Sequence, residues 1–122
     1  VDIMRGYSDD PDFKVVVVTN QAGIAKGLYT EADMHRLHRY MEDELERLGV
    51  HVDAWYFCPH HPDYTGPCKC RKPAPGMLLS AMRDFDAESV ECLMYGDKPS
   101  DEAAAIAAGV RVIAVGVTPY VQ

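Results

Sequence analysis

The sequence predicts an α/β protein: a Rossmann-like parallel sheet with helices on both faces. Three observations predict it. Short apolar or β-branched runs alternate with segments of helical periodicity, the signature of βαβ units. The run KVVVVTN (Lys14 to Asn20) carries four consecutive valines, which suits a strand buried on both faces as parallel sheets require. Polar turns follow three of the runs, and in such sheets ligands bind beyond the carboxyl ends of the strands.

In chain order, KVVVVTN is the first strand. A helix follows, with Thr30 as its N-cap and Asp33 closing a capping box. Met34, Leu37, Met41, Leu45 and Leu48 recur at helical spacing and predict its buried face, and Gly49 stops it. VDAWYF (Val52 to Phe57) is the second strand. A second helix follows Pro75 and carries Met77, Leu78, Ala81 and Met82. VECLMYG (Val90 to Gly96) is the third strand, a third helix runs from about Ser100 to Gly109, and VRVIAVG (Val110 to Gly116) is the fourth. The strand ends select TNQAG, CPHH and GDKPSD as site loops.

The totals bound the reading. With 122 residues the chain suits a single domain spanning 1–122, and 48% apolar residues suffice for a core. A net charge of -7 argues against a nucleic-acid surface. No apolar run reaches membrane-spanning length, so the expected location is the cytoplasm. Cys92 stands alone in an apolar segment and reads as a small core residue, while the other cysteines crowd into one loop.

That loop, CPHHPDYTGPCKCRKP, offers Cys58, Cys68 and Cys70 with His60 or His61. Three thiolates and an imidazole make a closed tetrahedral shell that suits Zn²⁺ and leaves no position for water. A zinc there is structural, and what it fixes in place is the pair that follows, Arg71 and Lys72. Arginine presents a planar fork to phosphate oxygens and lysine a mobile point charge.

At the first strand's end, Thr19, Asn20 and Gln21 present a hydroxyl and two amides that can cradle an anionic oxygen, although Thr-Asn after a strand is also ordinary turn chemistry. At the third, Asp97 sits where a strand ends, a place for a Mg²⁺-binding carboxylate. Asp101 has two readings: it orients Lys98 or a metal-bound water, or it favours the dipole of the helix it begins.

TNQAGIAKG, CPHHP…CKCRKPAPGMLL and YGDKPSD, in this order, resemble the haloacid dehalogenase (HAD) superfamily of phosphatases. More narrowly, they resemble its zinc-containing branch, which includes D,D-heptose 1,7-bisphosphate phosphatases and histidinol-phosphate phosphatases. The resemblance covers Lys14 to Gly116. It implies that Thr19 binds the transferring phosphoryl group and that Asn20, Gln21 and Ala22 lie along the substrate. It implies substrate recognition by Arg71, neutralisation of the phosphoryl group by Lys72, a Mg²⁺ ligand in Asp97 and a substrate contact in Lys98. The implied zinc set is Cys58, His60, Cys68 and Cys70. The implied activity is Mg²⁺-dependent hydrolysis of a phosphate monoester of a small metabolite through an aspartyl-phosphate. The first substrate expected is D-glycero-D-manno-heptose 1,7-bisphosphate, at the 7-phosphate. Histidinol phosphate is the alternative, and a catalytically inactive zinc-stabilised scaffold is the reading of another class.

The sequence departs from the family in one respect. The family places D-x-D-G-T at the end of a strand well upstream of TNQ, and only eighteen residues precede Thr19 here. Asp10 and Asp12 satisfy D-x-D in SDDPDF, but no hydrophobic strand leads into them, Pro11 intervenes, and the spacing fits a turn. The HAD-like fold is therefore expected to be incomplete at the N-terminus, and the polypeptide as written is expected not to form the phosphoenzyme. Complete family members are expected to be monomers. Here the open sheet edges favour self-association that covers the gap.

Overall fold

The valine run becomes a strand because β-branched side chains pack well on a pleated surface. In a computed structural model that describes residues 2–96 and 98–114, it forms β1, Val16–Asn20. The other elements are helices α1 (Asp2–Ser8), α2 (Ala22–Ala25), α3 (Glu31–Arg47), α4 (Pro62–Thr65), α5 (Gly76–Asp84) and α6 (Pro99–Ala108). Strands β2 (Ala54–Cys58), β3 (Leu93–Gly96) and β4 (Arg111–Ala114) and a 3₁₀ turn at Ser89–Glu91 complete the set. The chain divides into two compact units, Val1–Thr65 and Gly66–Gln122.

In the first unit, β1 and β2 pair in parallel, with Thr19 opposite Phe57 and Asn20 opposite Cys58. Asp53 sets this register at the start of both strands. Its carboxylate accepts the Val15 N–H (2.7 Å) and its own N–H donates to the Val15 carbonyl (2.7 Å). The predicted capping box of α3 forms in full: Thr30 Oγ1 accepts the Asp33 N–H at 3.1 Å, and Asp33 accepts the Thr30 N–H at 3.0 Å. These bonds from Thr30, the backbone one foremost, hold the Asp33 carboxyl below its usual pKa. At the other end of α3, Arg5 Nε on α1 donates to the Leu48 carbonyl at 2.8 Å, satisfying an orphan acceptor at a helix C-terminus.

Two sequence expectations need correction here. The valine strand is half-buried rather than buried on both faces. The reason is that its sheet has two strands, so β1 is not enclosed between neighbours among the described residues. The buried face of α3 also differs: Met34 (2% exposed) and His38 (7%) point inward, whereas Leu37, Met41 and Leu48 are exposed. The helix is turned toward its 34/38 edge because the His38 ring stacks on Trp55 of β2, with centroids 4.5 Å apart. Val50 and Val52 complete this core.

In the second unit, β3 and β4 pair in parallel, and α6 packs on both. Ala104 and Ala105 are fully buried, and their small side chains let the helix approach the strands closely. Gly109 ends α6 in the left-handed region (φ 75°), as a C-terminal glycine should. Met77, Met94 and Val110 fill the rest of the core. The third strand starts at Leu93, later than predicted, because Ser89–Glu91 tighten into the 3₁₀ turn. The predicted fourth strand is confirmed to Ala114, and Val115 and Gly116 lie outside the described residues. The class is α/β with parallel pairing. Among the described residues the ladders are β1–β2 and β3–β4, both parallel as expected from the sequence.

Candidate active site

The β1–β2 register places the polar tip of β1 beside a cysteine. Asn20 faces Cys58 across the ladder, and the Gln21 N–H donates to the Cys58 carbonyl at 2.7 Å. Beyond the strand, the side chains form a chain of hydrogen bonds. Tyr29 O–H donates to Gln21 Oε1 (2.5 Å), and Gln21 Nε2 donates to Thr19 Oγ1 (3.1 Å). A Cβ on Gly23 would lie 2.2 Å from Tyr29 Cε1, so the tyrosine ring crosses the turn only because residue 23 has no side chain.

Cys58 is fully buried, and none of the four cysteines is in a disulfide. Cys58 Sγ lies 3.5 Å from His60 Nδ1, and Cys70 Sγ lies 3.6 Å from Cys68 Sγ. One donor atom from each of the four residues lies within 4.8 Å of all the others. Zn–S bonds of about 2.3 Å in a tetrahedron put sulfurs roughly 3.8 Å apart, so the spacing suits a shared ion and is far too long for an S–S bond. His60 is the imidazole of the set. His61 is engaged locally instead: its Nδ1 accepts the Asp63 N–H at 3.1 Å, and its own N–H donates to Thr65 Oγ1 at 3.0 Å.

Behind Cys70, the loop folds back on itself. The Gly76 N–H donates to the Lys69 carbonyl at 2.8 Å, and a Cβ on Gly76 would lie 2.1 Å from that oxygen. Within this loop, Lys72 Nζ lies 2.6 Å from Asp101 Oδ1, with side-chain exposures of 14% and 8%. The other Asp101 oxygen accepts the Lys98 N–H at 3.3 Å. Asp101 thus caps α6 through the Lys98 main-chain N–H, and its first oxygen pairs with the Lys72 ammonium. Gly96 makes the approach possible, since a Cβ there would lie 2.5 Å from Asp101 Cβ. Arg71 Nη1 is buried and has no hydrogen-bond partner among the described residues. A buried guanidinium nitrogen left unpaired is costly, so a ligand acceptor at that position is physically favoured.

Asp97, expected as the Mg²⁺ ligand, lies outside the described residues. Asp10 and Asp12 lie on a turn, as the spacing predicted, with the Asp12 N–H donating to Asp10 Oδ1 at 2.9 Å. Sequence reasoning missed Tyr29, Gly23, Gly76 and Gly96. The three glycines were visible in the quoted motifs, but only tertiary contacts show what each must let past.

Comparison with known proteins gives one direction. A family described as HAD-hydrolase-like matches residues 69–119. A D-glycero-beta-D-manno-heptose-1,7-bisphosphate 7-phosphatase from Yersinia pestis is 45% identical over 103 residues, which are 80% of this chain and 55% of that protein. The enzyme of the same name from Escherichia coli K12 is 46% identical over 103 residues, 80% of this chain and 54% of that one. A crystal structure of D,D-heptose 1,7-bisphosphate phosphatase from B. bronchiseptica, complexed with magnesium and phosphate, matches with a TM-score of 0.76 and 39% identity. That match covers 83% of this chain and 55% of the other. The chain spans about half the length of the curated relatives it matches.

Proposed function

We propose that the chain, which is similar to HAD-like hydrolases, serves a Mg²⁺-dependent phosphatase acting on a phosphate monoester of a small metabolite. The substrate is D-glycero-D-manno-heptose 1,7-bisphosphate and the bond broken is at its 7-phosphate. The observation that carries this reading is the buried Arg71 Nη1, which has no hydrogen-bond partner among the described residues, next to a Lys72 held by Asp101. A guanidinium nitrogen in that position suits an anionic acceptor. The names of the relatives favour the heptose bisphosphate over histidinol phosphate.

In this reading Thr19 donates its hydroxyl to the transferring phosphoryl group, and Asn20, Gln21 and Ala22 line the substrate. Arg71 recognises substrate oxygens, Lys72 neutralises developing charge, and Lys98 makes a further substrate contact. Asp97 holds Mg²⁺, which when bound supplies charge stabilisation at the phosphoryl oxygens. Cys58, His60, Cys68 and Cys70 hold a structural Zn²⁺ whose closed shell fixes the backbone that carries Arg71 and Lys72. None of these residues is a nucleophile. The two D-x-D pairs of the described residues, 10/12 on a turn and 84/86 at the end of α5, both lie away from strand ends. We assign neither pair to the chemistry.

Residues 1–122 act in this reading as one HAD-like domain in the cytoplasm, with a phosphorylated sugar as partner and no nucleic acid. Among the described residues, no helix is long and apolar enough to cross a membrane. The test is calorimetric binding of the heptose bisphosphate with Mg²⁺ to this chain and to its Arg71→Ala and Lys72→Met variants, with histidinol phosphate as comparator. The expected result is tighter binding of the bisphosphate, weakened at least tenfold in each variant. Equal or absent binding of both compounds, or Arg71→Ala binding like the parent, would overturn the assignment.

A further inference from the structure

We propose that Tyr29 is a positioning residue for Thr19, acting through the carboxamide of Gln21. The polarity of the hydrogen-bond chain carries the inference. Gln21 Oε1 can only accept, so the Tyr29 hydroxyl at 2.5 Å donates to it. That bond fixes which end of the carboxamide faces Thr19: the Nε2 amine, which donates to Thr19 Oγ1 at 3.1 Å. A hydroxyl that already accepts in this way has its own hydrogen left to give. Among the described residues the acceptor it reaches is the Asn20 carbonyl at 3.4 Å, long for an O–H···O bond. The arrangement therefore holds Thr19 as a donor toward an incoming oxygen.

The backbone supports the chain of bonds from both sides. The Gln21 N–H is tied to the Cys58 carbonyl at 2.7 Å, so the residue between Tyr29 and Thr19 sits on the end of the sheet and not on a free loop. Gly23 opens the path for the tyrosine ring, because any Cβ there would meet Tyr29 Cε1 at 2.2 Å. Gly23→Ala should therefore mimic loss of the tyrosine by pushing its hydroxyl off Gln21. The incoming oxygen belongs to an anion of the phosphate class only insofar as the assignment of Thr19 above holds. The positioning itself does not depend on it.

The test uses the isotope-labelled chain, with Tyr29→Phe, Gly23→Ala and Thr19→Val variants, and inorganic phosphate with Mg²⁺ as the probe. NMR of the Gln21 side-chain amide reports the bond chain directly. The parent should show one Gln21 amide proton protected from solvent exchange. Tyr29→Phe, which keeps the ring and its packing, should lose that protection and weaken phosphate binding about 3- to 10-fold, the usual worth of one hydrogen bond. Gly23→Ala should do the same. A Gln21 amide signal in Tyr29→Phe identical to the parent's overturns the positioning role, whatever phosphate does. So does unchanged phosphate affinity in Tyr29→Phe when Thr19→Val loses it. If the parent fails to bind phosphate, or Thr19→Val binds as the parent does, the phosphoryl role of Thr19 falls, and the Gln21 signal alone decides the positioning.

Discussion

Lys72 Nζ and Asp101 Oδ1 lie 2.6 Å apart in a nearly buried ion pair that joins the loop after Cys70 to the first turn of α6. In a surface pair this contact would contribute little. With side-chain exposures of 14% and 8%, each charge depends on the other. Removing one partner takes the short-range counter-charge from a nearly buried ion, and that penalty exceeds the net worth of the pair itself.

Asp101→Ala is therefore expected to destabilise the chain by about 3 kcal/mol, measured by urea unfolding. Lys72→Met combined with Asp101→Leu should cost less than the sum of the single changes, by about 2 kcal/mol. Additive losses in this cycle would show that the two groups are not coupled. Gly96→Ala should reproduce part of the Asp101 loss, since the added Cβ would crowd Asp101 Cβ at 2.5 Å.

Removing the metal should loosen the loop before it unfolds the protein. With Co²⁺ in place of Zn²⁺, the visible spectrum should show tetrahedral thiolate bands at one equivalent. Cys58→Ser, Cys68→Ser or Cys70→Ser should each shift those bands, and His61→Ala should leave them unchanged. A change in His61→Ala equal to that in His60→Ala would place the imidazole ligand differently. A strong chelator should lower the melting temperature, because an ion bound by the folded state alone stabilises that state by mass action.

Gly76→Ala addresses the same loop without touching a ligand. The new methyl would lie 2.1 Å from the Lys69 carbonyl oxygen, a backbone atom that cannot yield easily. The expected outcome is a loss of metal affinity of tenfold or more at one-to-one stoichiometry, read by competition with a coloured chelator. Parent-like affinity would mean that the loop does not hold the ligand geometry.

Two histidines should pull the pH dependence of stability in opposite directions. His51 Nδ1–H donates to Glu46 Oε1 at 2.7 Å, and that bond foremost, with Asp53 and Glu42 nearby, raises its pKa. A raised value means stability that is full below about pH 6.5 and is lost as pH rises through the folded pKa. His38 is the reverse: burial foremost, with His35 adding repulsion, lowers its pKa. Its contribution is present above about pH 6.5 and is lost as pH falls through the lowered value. His51→Gln should flatten the alkaline limb of a melting-temperature profile, and His38→Phe, which keeps the stack on Trp55, should flatten the acid limb. A single limb altered by both changes would contradict this assignment.

By itself the sequence determined the strand–helix alternation, the capping box of α3, the α6 start and stop, and the Cys/His cluster. Each of these is written in short-range spacing: valines in a row, Thr30 three residues before Asp33, cysteines two apart. It also singled out Arg71 and Lys72, since they follow directly on Cys70. Tertiary structure alone decided the buried face of α3, where a His38–Trp55 stack overrides an apolar stripe. It placed the His60 ring, already implied by the family resemblance, beside Cys58, and bound His61 into its own turn. It alone joined Lys72 to Asp101 and Tyr29 to Thr19, through glycines whose missing side chains leave the room. The physical reason is range. Periodicity and capping act within a few residues along the chain, whereas a stack, an ion pair or a hydrogen-bond relay depends on where the fold brings distant residues.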